Sequence, residues 1–361
     1  MRTRGVCATM TPFPTQEVAE RLVAQAWSEY DGASSIERFD EVSAHVSTNR
    51  VYRLTLSDST NVVAKISSYG SYFLFAEDHD RLFTSHQMLR GTRWQYFLAE
   101  VLPKGGHAYT WYDGQYWVAF YTEVERAQQL PPVLSTDQIG TLAREIASFH
   151  RECSNISTHL PPTSNSVKGD AIHLLDQLSA EYASEQFGLS HDEIRVAYQS
   201  THEFLMHLEV VRFDEWEKIP VLVDWNLGNF SVHLKNNHYE LFSRWDYDWF
   251  RIDTRMLDFY FLSRVSSQTG DKTSFTYSPH TLLEPRFMHF LSEYHKVFPL
   301  SPQEIDFLPW AYRFFVLNYV IREGSKFFRT DIAEKFRHDA ATVYLPQLNT
   351  IDFSRLHQIC Q

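Results

Sequence analysis

Three polar side chains in the second half of the chain, Asp224, Asn229 and Asp246, have the types and spacing that could hold a divalent cation. Asn229 follows Asp224 after four intervening residues, and Asp246 stands at the end of the next apolar segment. Carboxylate and amide oxygens are ligands that Mg²⁺ accepts, and a further carboxylate can accept a proton from a hydroxyl group. This combination is what Mg²⁺-dependent phosphoryl transfer requires.

The segment between these residues predicts a hairpin that would bring them together. Apolar side chains alternate with polar ones on both sides of the polar turn Lys235–His238, at Phe230, Val232, Leu234, Leu241 and Trp245. Such alternation is typical of two short strands. Asp224 and Asn229 would then lie on the loop leading into the hairpin, and Asp246 would follow its second strand.

The first third of the chain predicts a small antiparallel sheet with one packed helix. Lys65 alternates with Val63 and is expected on the opposite face from Ala64 and Ile66. Asp113-Gly114 is a tight-turn signal between two of the strands. The predicted elements are a helix Thr15–Tyr30 capped by Thr15, strands Ser47–Leu54 and Asn61–Ile66, a helix Phe75–Leu89, and strands His107–Tyr112 and Gln115–Thr122.

The rest of the chain, apart from the hairpin, predicts mainly helix. Capping boxes begin at Ser135, Ser190 and Ser301, where a Gln or Glu follows three residues later. The first of them opens the predicted helix Ile139–Cys153. With 361 residues, two domains are expected, over residues 1–123 and 124–361.

Composition excludes several classes of function. The 45 acidic and 33 basic residues give a formal charge of −12, which weighs against nucleic acid and suits a cationic small molecule. Cys7, Cys153 and Cys360 are far apart, so neither a disulfide framework nor a zinc site is expected. The first residues lack an apolar signal segment, so we expect a cytoplasmic protein without a membrane partner. Neither a P-loop nor a GxGxxG pattern occurs in the sequence.

Four segments in this order resemble the aminoglycoside phosphotransferase/choline kinase group of small-molecule kinases. Leu142–His150 is similar to the helix after that family's hinge, and Leu222–Asn229 to its catalytic loop, H-G-D-x-H-x-x-N. Trp245–Asp248 and Ile252–Asp258 are similar to its metal loop and the following segment. The resemblance implies an α+β, bilobal, protein-kinase-like fold, with a small antiparallel sheet lobe and a larger, mainly helical lobe.

The resemblance also implies an ATP- and Mg²⁺-dependent transfer of phosphate to a small-molecule hydroxyl. Asp224 would be the catalytic residue, orienting the acceptor hydroxyl and taking its proton. Asn229 and Asp246 would bind Mg²⁺. Asp258 would tie the catalytic loop to the helix behind it.

Further residues would bind the nucleotide. Lys65 would hold the phosphates, paired with an acid of the Phe75–Leu89 helix. Glu77 is the first choice for that acid, and Asp78 and Asp80 are alternatives. Ser47 would lie in the loop over the phosphates, and the main chain of Tyr121 and Glu123 would meet adenine. Without these partners, Lys65 would be interpreted as an edge-strand lysine that discourages aggregation.

The chain departs from the family pattern at two positions of the catalytic loop. Leu222 and Asn226 stand where the pattern has histidines. This leaves two hypotheses from different classes: an active kinase, whose acceptor could be an aminoglycoside or choline-like amine, and a catalytically inactive module that binds nucleotide or a protein partner. The sequence does not indicate the oligomeric state.

Overall fold

The protein was analysed as a computed structural model, which describes residues 14–43, 49–68, 70–235, 238–271, 277–328 and 330–360. The chain forms two compact units. We call Met1–Phe83 with Glu100–Glu123 the sheet unit, and Thr84–Ala99 with Val124–Gln361 the helical unit.

The sheet unit contains a five-stranded antiparallel sheet, whose strands lie in the order β1 (Ile36–Glu41), β2 (Arg50–Leu56), β3 (Asn61–Ser67), β7 (Trp117–Thr122) and β6 (Thr110–Tyr112). Strands β2 and β3 form the predicted hairpin, with Val51 opposite Lys65, and β3 also pairs with β7. Two further short strands, β4 (Pro103–Lys104) and β5 (His107–Ala108), pair with each other.

Helix α1 (Gln16–Tyr30) packs on one face of this sheet. Thr15 caps it by accepting the amide of Val18, as its position predicts. Trp27 packs edge-on against Phe120 of β7, with ring centres 5.1 Å apart. Ala64 belongs to the same core as Trp27. Because side chains alternate along a strand, Lys65 belongs to the opposite face, as expected.

Helix α2 (Tyr72–Leu89) begins in the sheet unit, where it packs on that opposite face. His79 reaches Tyr121 of β7, with Nε2 2.5 Å from the phenol oxygen. The sheet therefore carries a helix on each face.

The helical unit confirms the predicted helical character and the predicted capping boxes. Ser135, Ser190 and Ser301 each cap a helix by accepting the amide of the residue three positions later. Its helices are α3 Thr136–Ser157, α4 Val167–Ser179, α5 Ala183–Phe187, α6 His191–Val210, α7 Phe259–Ser266, α8 Pro285–Val297, α9 Pro302–Phe315, α10 Gly324–Phe327, α11 Thr330–Asp339 and α12 Leu345–Thr350.

Two short antiparallel pairs complete the helical unit. Strands β9 (Phe230–Lys235) and β10 (His238–Arg244) form the hairpin predicted between Asn229 and Asp246. Strand β8 (Ile219–Val221) pairs with β11 (Arg251–Asp253). In the part of the chain that the structure describes, every helix is too short or too polar to cross a membrane.

Candidate active site

The two strand pairs bring two loops to one end of the hairpin. We keep for Leu222–Asn229 and Trp245–Asp248 the names of the family segments that they resemble, the catalytic loop and the metal loop. Phe230 pairs with Arg244 at the open end of the hairpin. Beside this pair, the amide of Trp245 donates to the carbonyl of Asn229 at 3.0 Å. Asn229 therefore lies next to the residue that precedes Asp246, as the hairpin prediction requires.

The buried carboxylate of Asp258 fixes the catalytic loop. It accepts hydrogen bonds from the amide of Val223 and from the indole of Trp225, both at 2.7 Å. It also lies 2.9 Å from Nε2 of His150, whose Nδ1 lies 2.8 Å from the hydroxyl of Tyr294. A chain of buried polar contacts thus connects the catalytic loop to helices α3 and α8.

Two residues beside the site have left-handed main-chain conformations. Val223 has φ +57° and Asp246 has φ +69°. For a β-branched residue such as Val223 this conformation is an outlier, and it persists only where surrounding contacts determine it. The hydrogen bond from Val223 to Asp258 is one such contact.

The carboxyl group of Asp224 has a raised pKa. Burial is the largest cause, and the neighbouring charge of Asp246 adds to it, so the pKa rises from 3.8 to about 6. The charge of Arg244 and a hydrogen bond from the amide of Asn226 oppose the rise. A carboxylate with a pKa in this range can accept a proton near neutral pH.

Asp271, which the sequence reasoning missed, supports the same loop. Its carboxylate accepts the amide of Leu227 at 2.6 Å and pairs with Arg264 at 3.4 Å. Its negative charge also contributes to the raised pKa of Asp224. Asp271 lies outside every motif in the sequence, so only the folded chain reveals this contact.

In the sheet unit, Lys65 is buried, with 8% of its surface exposed. Burial is the main cause that lowers the pKa of His79 to about 3, and the charge of Lys65 lowers it further. His79 is therefore neutral at physiological pH.

The three acidic candidates of helix α2 differ in their surroundings. Asp80 pairs with Arg81 at 3.2 Å and with His107 at 3.3 Å. Glu77 is less exposed and lies 3.7 Å from Arg81. The pairing of Lys65 with Glu77, Asp78 or Asp80 stays a prediction.

The remaining nucleotide-binding predictions also stay open. Ser47 lies outside the described residues. Tyr121 pairs with Val63 in the sheet, and its hydroxyl contacts His79. The carboxylate of Glu123 pairs with Arg53 at 2.7 Å, and the adenine contact of its main chain stays a prediction.

Comparison with solved structures identifies the fold of this chain. Neither a family model nor a curated protein matches this chain. Solved structures do: an amicoumacin kinase in complex with AMP-PNP, Ca²⁺ and Ami is 15% identical at a TM-score of 0.62, covering 95% of this chain and 100% of its own. A microcompartment-associated aminopropanol kinase is 16% identical at a TM-score of 0.61, and the match covers 92% of this chain and 98% of the kinase. The GDP complex of an aminoglycoside 2'-phosphotransferase-IIIa is 14% identical at a TM-score of 0.55, and the match covers 89% of this chain and 98% of the phosphotransferase. This chain has the fold of these small-molecule kinases.

The small-molecule kinase fold confirms the α+β, protein-kinase-like class predicted from the sequence. The predicted ligands Asn229 and Asp246 also fit a magnesium ion chemically. Both offer hard oxygen atoms, and Mg²⁺ in kinases takes one or two protein ligands plus phosphate oxygens. Among the described residues, no group of three or more His, Cys, Asp or Glu side chains could hold a metal.

Proposed function

We propose that this protein is an ATP- and Mg²⁺-dependent phosphotransferase that phosphorylates a hydroxyl group of a small molecule. The observation that carries the proposal is the carboxyl group of Asp224. It lies on a loop fixed by Asp258, and burial and Asp246 raise its pKa to about 6. In the proposed reaction it orients the acceptor hydroxyl and accepts its proton.

The charge around Asp224 supports a cation at this site. The negative charge of Asp246 adds to the cost of ionising Asp224, since a nearby like charge disfavours the charged form of a carboxyl group. A bound Mg²⁺ would offset this repulsion and neutralise charge on the phosphates. We assign its protein ligands as Asn229 and Asp246.

The nucleotide is assigned to residues of the sheet unit. Lys65 would contact the phosphates, with Glu77 as its partner, and the main chain of Tyr121 and Glu123 would contact adenine. The AMP-PNP and GDP present in two of the similar structures support a nucleotide as the phosphate donor.

We propose an amine-bearing acceptor. The formal charge of −12 favours the approach of a cation. The similar structures include an aminopropanol kinase and an aminoglycoside phosphotransferase, whose names indicate acceptors of this class.

The test is ADP release from ATP across a panel of amino alcohols, sugars and aminoglycosides. We expect Mg²⁺-dependent ADP release with at least one acceptor. In Asp224→Asn the rate of this release should fall about 100- to 10,000-fold. An equally active Asp224→Asn variant would refute the role of this residue. If no acceptor gives release although Mg-ATP raises the melting temperature, the protein is an inactive nucleotide-binding module.

A further inference from the structure

Arg244, the last residue of β10, is a fully buried cation between the catalytic loop and the metal loop. Its exposed fraction is 0%. Its Nη2 donates to the main-chain carbonyl of Asp224 at 2.6 Å and lies 3.4 Å from that of Asp246. The guanidinium carbon is 5.3 Å from the centre of the Trp225 ring. One side chain therefore contacts the main chain of both loops.

The main chain of Arg244 is itself held in place. Its amide donates to the carbonyl of Phe97 at 2.8 Å, and its carbonyl accepts the hydroxyl of Tyr247 at 2.7 Å. The Tyr247 oxygen in turn accepts the amide of Ala99 at 2.7 Å. Because the amide and the carbonyl of Arg244 are both hydrogen-bonded, its main chain is held in place. The guanidinium therefore has little freedom to follow a movement of either loop.

The two loops need such a restraint. Asp246, whose carbonyl faces the guanidinium, has φ +69°, and Val223, which immediately precedes Asp224, has φ +57°. Conformations of this kind relax unless contacts on several sides oppose the change. The guanidinium of Arg244 supplies a contact to each loop from the hairpin side, while Asp258 holds Val223 from the helix side.

Stability alone does not explain a guanidinium at this position. Among the described residues, Nε and Nη1 of Arg244 have no hydrogen-bond partner. A buried cation with two unsatisfied donors is costly, and an apolar side chain of similar length often serves the folded state as well. Among the described residues, the guanidinium of Arg244 contacts main-chain carbonyls of the two loops and lies near the rings of Trp225 and Tyr247.

We propose that Arg244 is a positioning residue, whose guanidinium holds Asp224 and Asp246 in the relative placement that phosphoryl transfer needs. This inference rests on the proposed function, because it gives the two loops a shared task. Arg244 acts through the main chain of these residues and does not itself contact the reacting groups.

The test compares Arg244→Met and Arg244→Lys with Arg313→Met. Arg313 is a matched control, because it is also a buried arginine of the helical unit, but it contacts Asn349 and Glu203. Turnover is measured with the acceptor found in the panel. Mg²⁺ affinity is measured calorimetrically on protein saturated with AMP-PNP, a measurement that needs no acceptor. Melting temperature reports whether each variant folds.

For Arg244→Met we expect a kcat about 100-fold lower, as for a misplacement near 1 Å, with KM for ATP changed less than about threefold. Mg²⁺ affinity should fall about tenfold. Arg244→Lys keeps a side-chain hydrogen-bond donor, so its kcat and Mg²⁺ affinity should lie between those of the wild type and of Arg244→Met. If the Met variant does not fold, the Lys variant is used for the test. Arg313→Met should keep both kcat and Mg²⁺ affinity.

Two results would overturn the inference: wild-type kcat and Mg²⁺ affinity in both Arg244 variants, or equal losses in Arg313→Met. A failure of the proposed function would give a different result from a failure of this inference. In that case the unaltered protein releases no ADP with any acceptor, while the Mg²⁺ affinities of the variants still decide whether Arg244 positions the loops.

Discussion

At the scale of single residues, the proposed chemistry depends on the protonation of Asp224. Its pKa of about 6 results chiefly from burial and from the nearby charge of Asp246. The folded protein therefore holds this proton at pH values where the unfolded chain has lost it. The raised pKa of Asp224 therefore contributes to the free energy of unfolding. This contribution is fully present below the ordinary pKa of 3.8 and is lost as the pH rises through 6.

Replacing Asp224 by Asn should remove this penalty. At pH 8 and without nucleotide, we expect Asp224→Asn to be more stable than the wild type by at most about 3 kcal/mol. The difference should shrink toward zero near pH 4. Thermal unfolding between these pH values checks this, with Asp192→Asn, an exposed carboxylate paired with Arg195, as the control. Equal melting temperatures at pH 8 would mean that the Asp224 carboxylate carries no burial penalty.

The residue types of the site were predictable where they belong to a spaced pattern. Asp224, Asn229 and Asp246 were found from their spacing, and the hairpin between them is confirmed. Arg244 and Asp271 were not found, because neither belongs to a pattern. A charged residue near the end of a strand is normally solvated, and its burial beside the catalytic loop depends on contacts between distant parts of the chain.

At the scale of elements, the site depends on how short loops are held by rigid neighbours. The turn at Gly270 is one such support, since it places Asp271 against the amide of Leu227. Gly270 has φ +62°, and a Cβ added there would lie 2.2 Å from the carbonyl oxygen of Pro132. This turn therefore requires glycine both for its conformation and for the close approach.

Gly270→Ala should destabilise the protein and weaken the site. We expect a loss of about 2–4 kcal/mol, because a main-chain clash adds to the conformational strain. Gly91→Ala is the control: its φ is +81°, but nothing lies within 4 Å of an added Cβ. It should cost only about 1–2 kcal/mol, the strain alone. Denaturant unfolding of both variants compares the two costs, and equal losses would contradict the close contact with Pro132.

At the scale of the whole molecule, the fold class was predictable because the order of elements is itself a signal. The sheet hairpin, the acidic helix and the capping boxes all follow from local patterns. Strand β1 (Ile36–Glu41) was missed, because four of its six residues are charged. The structure explains that composition, since β1 lies at the edge of the sheet, where charged side chains remain solvated and prevent further pairing.

In the proposed kinase site, Asn229 and Asp246 hold the metal and Asp224 is the base. A crystal structure of the protein with AMP-PNP and Mg²⁺ tests it most directly. We predict a magnesium ion about 2.1 Å from oxygen atoms of Asn229 and Asp246, bridging to the phosphates. Bound nucleotide whose metal ion contacts neither residue would contradict the assignment.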